Sequence, residues 1–367
     1  MADFRFQTPV GARVTIDGRE RDYFSGTGYL CLHSHPAVLK AAVDCLNRFG
    51  LSTATSRGGY GEHAVYDELD AAINQFLGTE RNLYFASGYL GTGILAQGLR
   101  ERYERVFIDE GAHFSVFEAA HASERPIHKY AHLQPASLAI QLSAELRAGE
   151  RPLVLSDGLF PISGEIAPAA ELLSVIGPYD GLLALDDAHA GGVLGEHGRG
   201  TLEYCQINSP HCFAAMTLSK ALGGYGGLVA GTAGQIDELE RFSHVYTAAS
   251  PPPLPVAAAA SAALRIAAHE PERRQRLWAN VKRARAGLRR LAWPDLPESP
   301  SPILCLGARP GLDLARIKDG LFKRGICVAH VTRYSSTPPG GALRVAIFSE
   351  HTSEQIDRLI EEVGKLC

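Results

Sequence analysis

Leu182-Leu183-Ala184-Leu185-Asp186-Asp187-Ala188-His189 opens a stretch that continues through a glycine-rich segment, Gly191 to Gly200. It then runs into Cys212-Phe213-Ala214-Ala215-Met216-Thr217-Leu218-Ser219-Lys220 and Gly223-Gly224-Tyr225-Gly226-Gly227. Both apolar runs have strand length, and an unbroken apolar run suits a strand covered on both faces. The first ends in an acid with a histidine three residues on, and the second leads to a lone lysine in a glycine-rich turn. Lysine usually occupies solvated surface, so its place among small residues at a strand end is unusual.

Outward from this stretch, strands and helices alternate. Asn82 to Ala86 reads as a strand, and Ser87-Gly88-Tyr89 opens a helix through Leu99. Arg105 to Ile108 and Pro152 to Leu155 read as strands ending near His113 and Asp157. Such alternation predicts an α/β fold with a mostly parallel central sheet and helices on both faces. Ligands of such sheets bind beyond the carboxyl ends of the strands, where these polar groups lie. Upstream, Ala12 to Ile16 and the Asp17-Gly18 turn predict a hairpin. Pro36 begins a helix with Val38, Leu39, Ala42, Val43 and Leu46 at helical spacing, and Ala64 to Leu77 forms another. Downstream of Pro251-Pro252-Pro253 come a helical region over 256–291 and then strand, helix, strand, strand, helix, with one strand expected over 326–330. The expected division is an N-terminal segment, 1–45, packing with a smaller C-terminal α+β domain, 251–367, around a large domain, 46–250.

The 367 residues are 46% hydrophobic and 21% charged, with net charge −4. That length holds two substantial cores, and the charge gives no reason to expect nucleic acid or an anionic membrane surface. No apolar run reaches the length of a membrane span. The start lacks a signal-peptide pattern, and seven scattered cysteines without a C-x-x-C suit reduced thiols in the cytoplasm. No metal site is expected.

The residues suit a lysine-bound aldehyde cofactor with a pyridinium nitrogen, namely pyridoxal phosphate (PLP). Lys220 would hold the aldehyde as a Schiff base. Asp186, buried at a strand end, would pair with the pyridine nitrogen; the competing role is a helix cap, which suits Asp187 better. His189 could reach the ring 3′-oxygen, and His113 could stack on the ring, although a lone histidine is more often an ordinary loop residue. Gly88 and Tyr89, at a strand-to-helix turn, offer backbone N–H groups to a phosphate, and Thr217 adds a hydroxyl. Each signal is weak singly; their order along the chain is the stronger argument.

These residues together resemble the α-oxoamine synthases, a family of fold-type I PLP-dependent transferases. The resemblance runs from about Asp22 to the last helix and is most specific at Asp186-Asp187-Ala188-His189 with Gly195 to Gly200. It implies catalytic roles for Lys220, Asp186, His189 and His113, and cofactor contacts from Gly88, Tyr89, Asp157 and Thr217. It also implies that Thr247 completes the neighbouring subunit's phosphate site in a homodimer, and that Arg344 grips the amino-acid carboxylate. The implied reaction is a decarboxylating condensation of an amino acid with an acyl thioester, presented by coenzyme A or a carrier protein, to an α-aminoketone.

The substrate-facing positions depart from the family. Its Asn-Asp-Tyr-Leu-Gly is Thr27-Gly28-Tyr29-Leu30-Cys31, a histidine of the substrate region is Tyr66, and Pro161 stands where serine is common. Thr27 and Tyr66 are thus the candidate substrate contacts. These changes keep an alternative open: an aminotransferase or another amino-acid-transforming PLP enzyme on the same framework.

Overall fold

The computed structural model describes residues 4–367. Strands β1 (Arg13–Ile16) and β2 (Arg19–Tyr23) form the expected hairpin. Asp17 and Gly18 both adopt positive φ, 52° and 67°, the geometry that lets a two-residue turn follow the twist of its strands.

The central sheet is built from β3 (Arg81–Phe85), β4 (Arg105–Asp109), β5 (Ile127–Tyr130), β6 (Pro152–Asp157), β7 (Leu182–Asp186), β8 (Cys212–Thr217) and β9 (Gly227–Gly231). Their order is β3-β9-β8-β7-β6-β4-β5, and β9 is antiparallel to both its neighbours while the other pairings are parallel. The apolar runs are unbroken because both faces are covered. Leu153, Leu155, Leu182 and Ala184 pack into one core with Ile94, Leu95 and Val116. Val154, Leu183 and Leu185 pack into another with Leu138, Leu142, Leu172 and Ile176. As expected of a mostly parallel sheet, Asp109, Asp157, Asp186 and Thr217 close β4, β6, β7 and β8.

Towards the C-terminus lie β10 (Ile303–Gly307), β11 (Ile326–Cys327), β12 (Ala329–Val331) and β13 (Ala342–Ala346). The single strand expected over 326–330 is in fact two. β11 pairs parallel with β2, whereas β12 pairs with β13, itself flanked by β10. A short apolar run specifies extended backbone but not its partner, so the crossing from one sheet to the other at Val328 has no signature in the residues.

Helices Leu254–His269 and Glu272–Arg289 resolve the long helical region. Helix Pro36–Phe49 forms where expected, yet only Val38 and Cys45 of its side chains are buried. Leu39, Val43, Leu46 and Phe49 are exposed. No helix among the described residues is long and apolar enough to cross a membrane.

Candidate functional site

The carboxyl ends of β6, β7 and β8 converge on a cavity of about 220 Å³. Gly88, Tyr89, His113, Asp157, Asp186, His189, Thr217 and Lys220 all line it, so positions spread over more than 130 residues of chain meet in one place. β8 and the reversed β9 bracket the turn that carries Lys220. Burial is the main influence on the Lys220 amine and, although Asp186 and Asp157 partly offset it, lowers its pKa from 10.5 to about 8.

Asp186 is buried, accepting hydrogen bonds from Ala188 N (3.0 Å) and Ser115 Oγ (3.3 Å). Asp187 is not the N-cap of the segment that follows it; its Oδ2 accepts from Thr201 N (2.7 Å), the first residue of a short helix whose N-cap is Gly200. Asp157 accepts from His113 N (2.7 Å), and burial followed by the charge of Asp186 pushes its pKa well up.

His113 caps helix Phe114–Ala122, with its Nδ1 near Ser115 Oγ (2.7 Å) and its Nε2 2.5 Å from the Tyr334 hydroxyl. Burial lowers its pKa. His189 is buried with its Nδ1 2.7 Å from the Tyr29 hydroxyl; burial, then the charges of Lys220 and Arg344, pushes its pKa well below 6.5.

In the same cavity lining, Ser87 accepts from Tyr89 N and starts a helical turn at Gly88. A Cβ on Gly88 would stand 2.6 Å from Thr217 Cβ, so only glycine lets the turn lie against the end of β8. The result is a backbone cradle with the Thr217 hydroxyl beside it, in the same cavity as a buried carboxylate and an amine of lowered pKa. That donor set, an anion cradle, an amine and a buried carboxylate, is one that PLP requires.

Other expected residues lie elsewhere. Arg344 is no surface arginine but is buried in β13. Its Nε donates to Pro161 O (2.6 Å), Nη1 to Gly26 O (2.9 Å) and Nη2 to the Tyr29 hydroxyl (3.1 Å). Thr27 adjoins Gly26, outside the cavity lining. Tyr66 is fully buried in helix Ala64–Leu77 and donates to Pro252 O (2.7 Å), away from the cavity. Thr247 lines a separate cavity of about 150 Å³, with Arg57 and Tyr246, and its hydroxyl donates to Ser243 O (3.0 Å).

Sequence reasoning missed Ser115, Tyr29 and Tyr334. Ser115 had a signal, standing two residues after His113 in a turn already marked as polar. Tyr334 had none, since its Ser- and Pro-rich segment reads only as a loop.

Residues 26–363 match the family described as aminotransferase class I and II. An 8-amino-7-oxononanoate synthase of Methylococcus capsulatus is 36% identical, over 98% of this chain and 92% of that protein. One of Nitrosomonas europaea is 35% identical, over 96% and 91%. Among solved structures, the serine palmitoyltransferase of Sphingomonas wittichii superposes with a TM-score of 0.90 at 26% identity, covering 99% of this chain and 92% of that one. The 8-amino-7-oxononanoate synthase of Francisella tularensis gives 0.77 at 25% identity, covering 94% and 97%. A match of this extent, joined to a cavity with the donor set for PLP, leads to one conclusion: the chain belongs to the aminotransferase class I and II family and, within it, to the α-oxoamine synthases, which are PLP-dependent transferases.

Proposed function

We propose that this protein condenses an α-amino acid with an acyl thioester, releasing carbon dioxide and the free thiol and forming an α-aminoketone. The observation that carries the reading is the single cavity in which the Lys220 amine lies with Asp186 and the Gly88–Thr217 cradle. Relatives named 8-amino-7-oxononanoate synthase support it.

PLP, when bound, supplies the electron sink that makes the amino acid's α-carbon nucleophilic. Lys220 would hold the cofactor's aldehyde and would carry the α-proton; its lowered pKa leaves more of the amine free near neutrality. Asp186, held by Ser115 Oγ and Ala188 N, would stabilise the proton on the pyridine nitrogen. His113 would cover one face of the ring and His189 would donate to its 3′-oxygen. Gly88, Tyr89 and Thr217 would hold the phosphate, and Asp157 fixes His113 by accepting from its backbone N–H. Arg344 spends three of its N–H groups inside the protein and keeps two for the amino acid's carboxylate. Tyr66 makes no substrate contact within its own chain on this reading, and Thr27 acts through the neighbouring Gly26.

The reading includes a homodimer in which Thr247 reaches the partner's phosphate site. The exposed apolar side of helix Pro36–Phe49 supports such an interface. It also includes the division at about residues 46 and 251, supported by the pairing of β2 with β11. The seven free cysteines favour the cytoplasm.

The test is to incubate the PLP-loaded protein with each common amino acid, with and without a short acyl-CoA, and to measure free thiol and carbon dioxide. Release of both with one amino acid supports the reading. Formation of a 2-oxo acid without thiol release overturns it in favour of transamination.

A further inference from the structure

A chain of three buried side chains runs from Arg344 to the cavity. Arg344 Nη2 lies 3.1 Å from the Tyr29 hydroxyl, and that hydroxyl lies 2.7 Å from His189 Nδ1. Tyr29 is fully buried. Among the described residues, its hydroxyl has no third hydrogen-bond partner. The direction of each bond follows from what the groups can do. A guanidinium has donors and no acceptor, so Arg344 donates to the phenol oxygen. The phenol has one proton, and His189 Nδ1 is the acceptor left for it. Reversing that bond would leave a buried phenol proton without an acceptor, a desolvation cost that nothing in the structure offsets. His189 Nδ1 therefore accepts, and the ring proton must sit on Nε2.

We propose that Tyr29 is a positioning residue which, with its direction set by Arg344, fixes His189 as the neutral Nε2–H form, so that His189 offers the cavity a donor and not an acceptor. This deepens the proposed function and rests on it for the ligand: the matching group is an anionic acceptor oxygen, the 3′-oxygen of a pyridoxal ring. The charged or titratable groups around His189 are Lys220, Arg344 and His113, with Asp186 and Asp157 on the same cavity wall. The same chain joins the arginine assigned to the substrate carboxylate to the histidine assigned to the ring oxygen, so Tyr29 ties the two ends of the site together.

The first measurement needs no variant of Tyr29. Nitrogen-15 NMR of histidine-labelled wild type, assigned with His189→Gln, reads the tautomer directly in both unloaded and PLP-loaded protein. A protonated Nε2 and an unprotonated Nδ1 at neutral pH are expected; the opposite assignment overturns the proposal. The second measurement is the pH titration of the visible absorbance of the lysine-bound cofactor. A donor to the ring oxygen stabilises its anion and lowers the titration midpoint. Tyr29→Phe should therefore raise the midpoint by about one pH unit, the equivalent of one hydrogen bond. In a His189→Gln background the amide donates whatever its neighbour does, so adding Tyr29→Phe should change the midpoint far less. Equal shifts in both backgrounds, or none in either, overturn the proposal. Absence of any cofactor band in the wild type would instead overturn the functional reading, and the tautomer in the unloaded protein would still decide the role of Tyr29.

Discussion

Asp157 and Asp186 are register partners across β6 and β7, both buried at the same edge of the sheet, and both act on the charge of Lys220. Two adjacent buried carboxylates do not both ionise cheaply. Burial, followed by the charge of Asp186, pushes the Asp157 pKa well up, so a charge on Asp157 is disfavoured and a neutral side chain is tolerated there. Asp157→Asn, whose amide oxygen can still accept from His113 N, should keep most cofactor affinity. If Asp186 pairs with the pyridine nitrogen, Asp186→Asn removes that charge and should weaken PLP retention by roughly 30-fold or more, about 2 kcal/mol for one partner of a buried charge pair. Equilibrium dialysis of the two variants compares them, and equal losses would contradict the assignment.

The lowered pKa of Lys220, about 8, sets the pH dependence of cofactor capture. Only the neutral amine attacks an aldehyde. Capture of PLP by the unloaded protein should accelerate as pH rises and level off above about 8, not near 10.5. Stopped-flow absorbance at constant ionic strength measures this. Lys220→Ala should give no lysine-bound band at any pH.

His132 lies between two carboxylates, with its Nδ1 2.7 Å from Asp109 Oδ1 and its Nε2 3.3 Å from Glu165 Oε2. Burial opposes its protonation, but the hydrogen bonds to Asp109 and Glu165 outweigh it and raise the pKa to about 9. A folded pKa above the unfolded 6.5 gives stability that is full below 6.5 and fades as pH rises through about 9. The Tm deficit of His132→Asn relative to wild type should therefore be largest at mildly acid pH and shrink above about pH 9. A deficit constant with pH would mean that the edge-on packing of His132 against Phe160, ring centroids 4.5 Å apart, and not charge, gives His132 its value.

Val43 stands on the exposed side of helix Pro36–Phe49 beside Leu39 and Leu46. If this face joins two copies, Val43→Glu buries an unpaired charge there and should weaken the dimer by about 2 kcal/mol or more. Light scattering over a dilution series would show dissociation at higher concentration than for wild type. An unchanged dimer mass profile would place the interface elsewhere.

The residues alone determined the parallel sheet, because a strand covered on both faces must be apolar throughout, as Leu182 to Leu185 and Cys212 to Met216 are. They also placed Asp186, His189 and Lys220 at strand ends, since polar groups that follow such runs emerge at the same edge of the sheet. Only the tertiary structure decided what lies between them. The split of residues 326–331 between two sheets, the exposure of Leu39 and Val43, and the burial of Tyr66 depend on partners distant in the chain. So does the line from Arg344 through Tyr29 to His189, which joins residues separated by 315 and 160 positions. Local periodicity states which face of an element is apolar and which residue types could bond. It cannot state which surface covers that face or which donor meets which acceptor, because those are settled when the whole chain closes around one core.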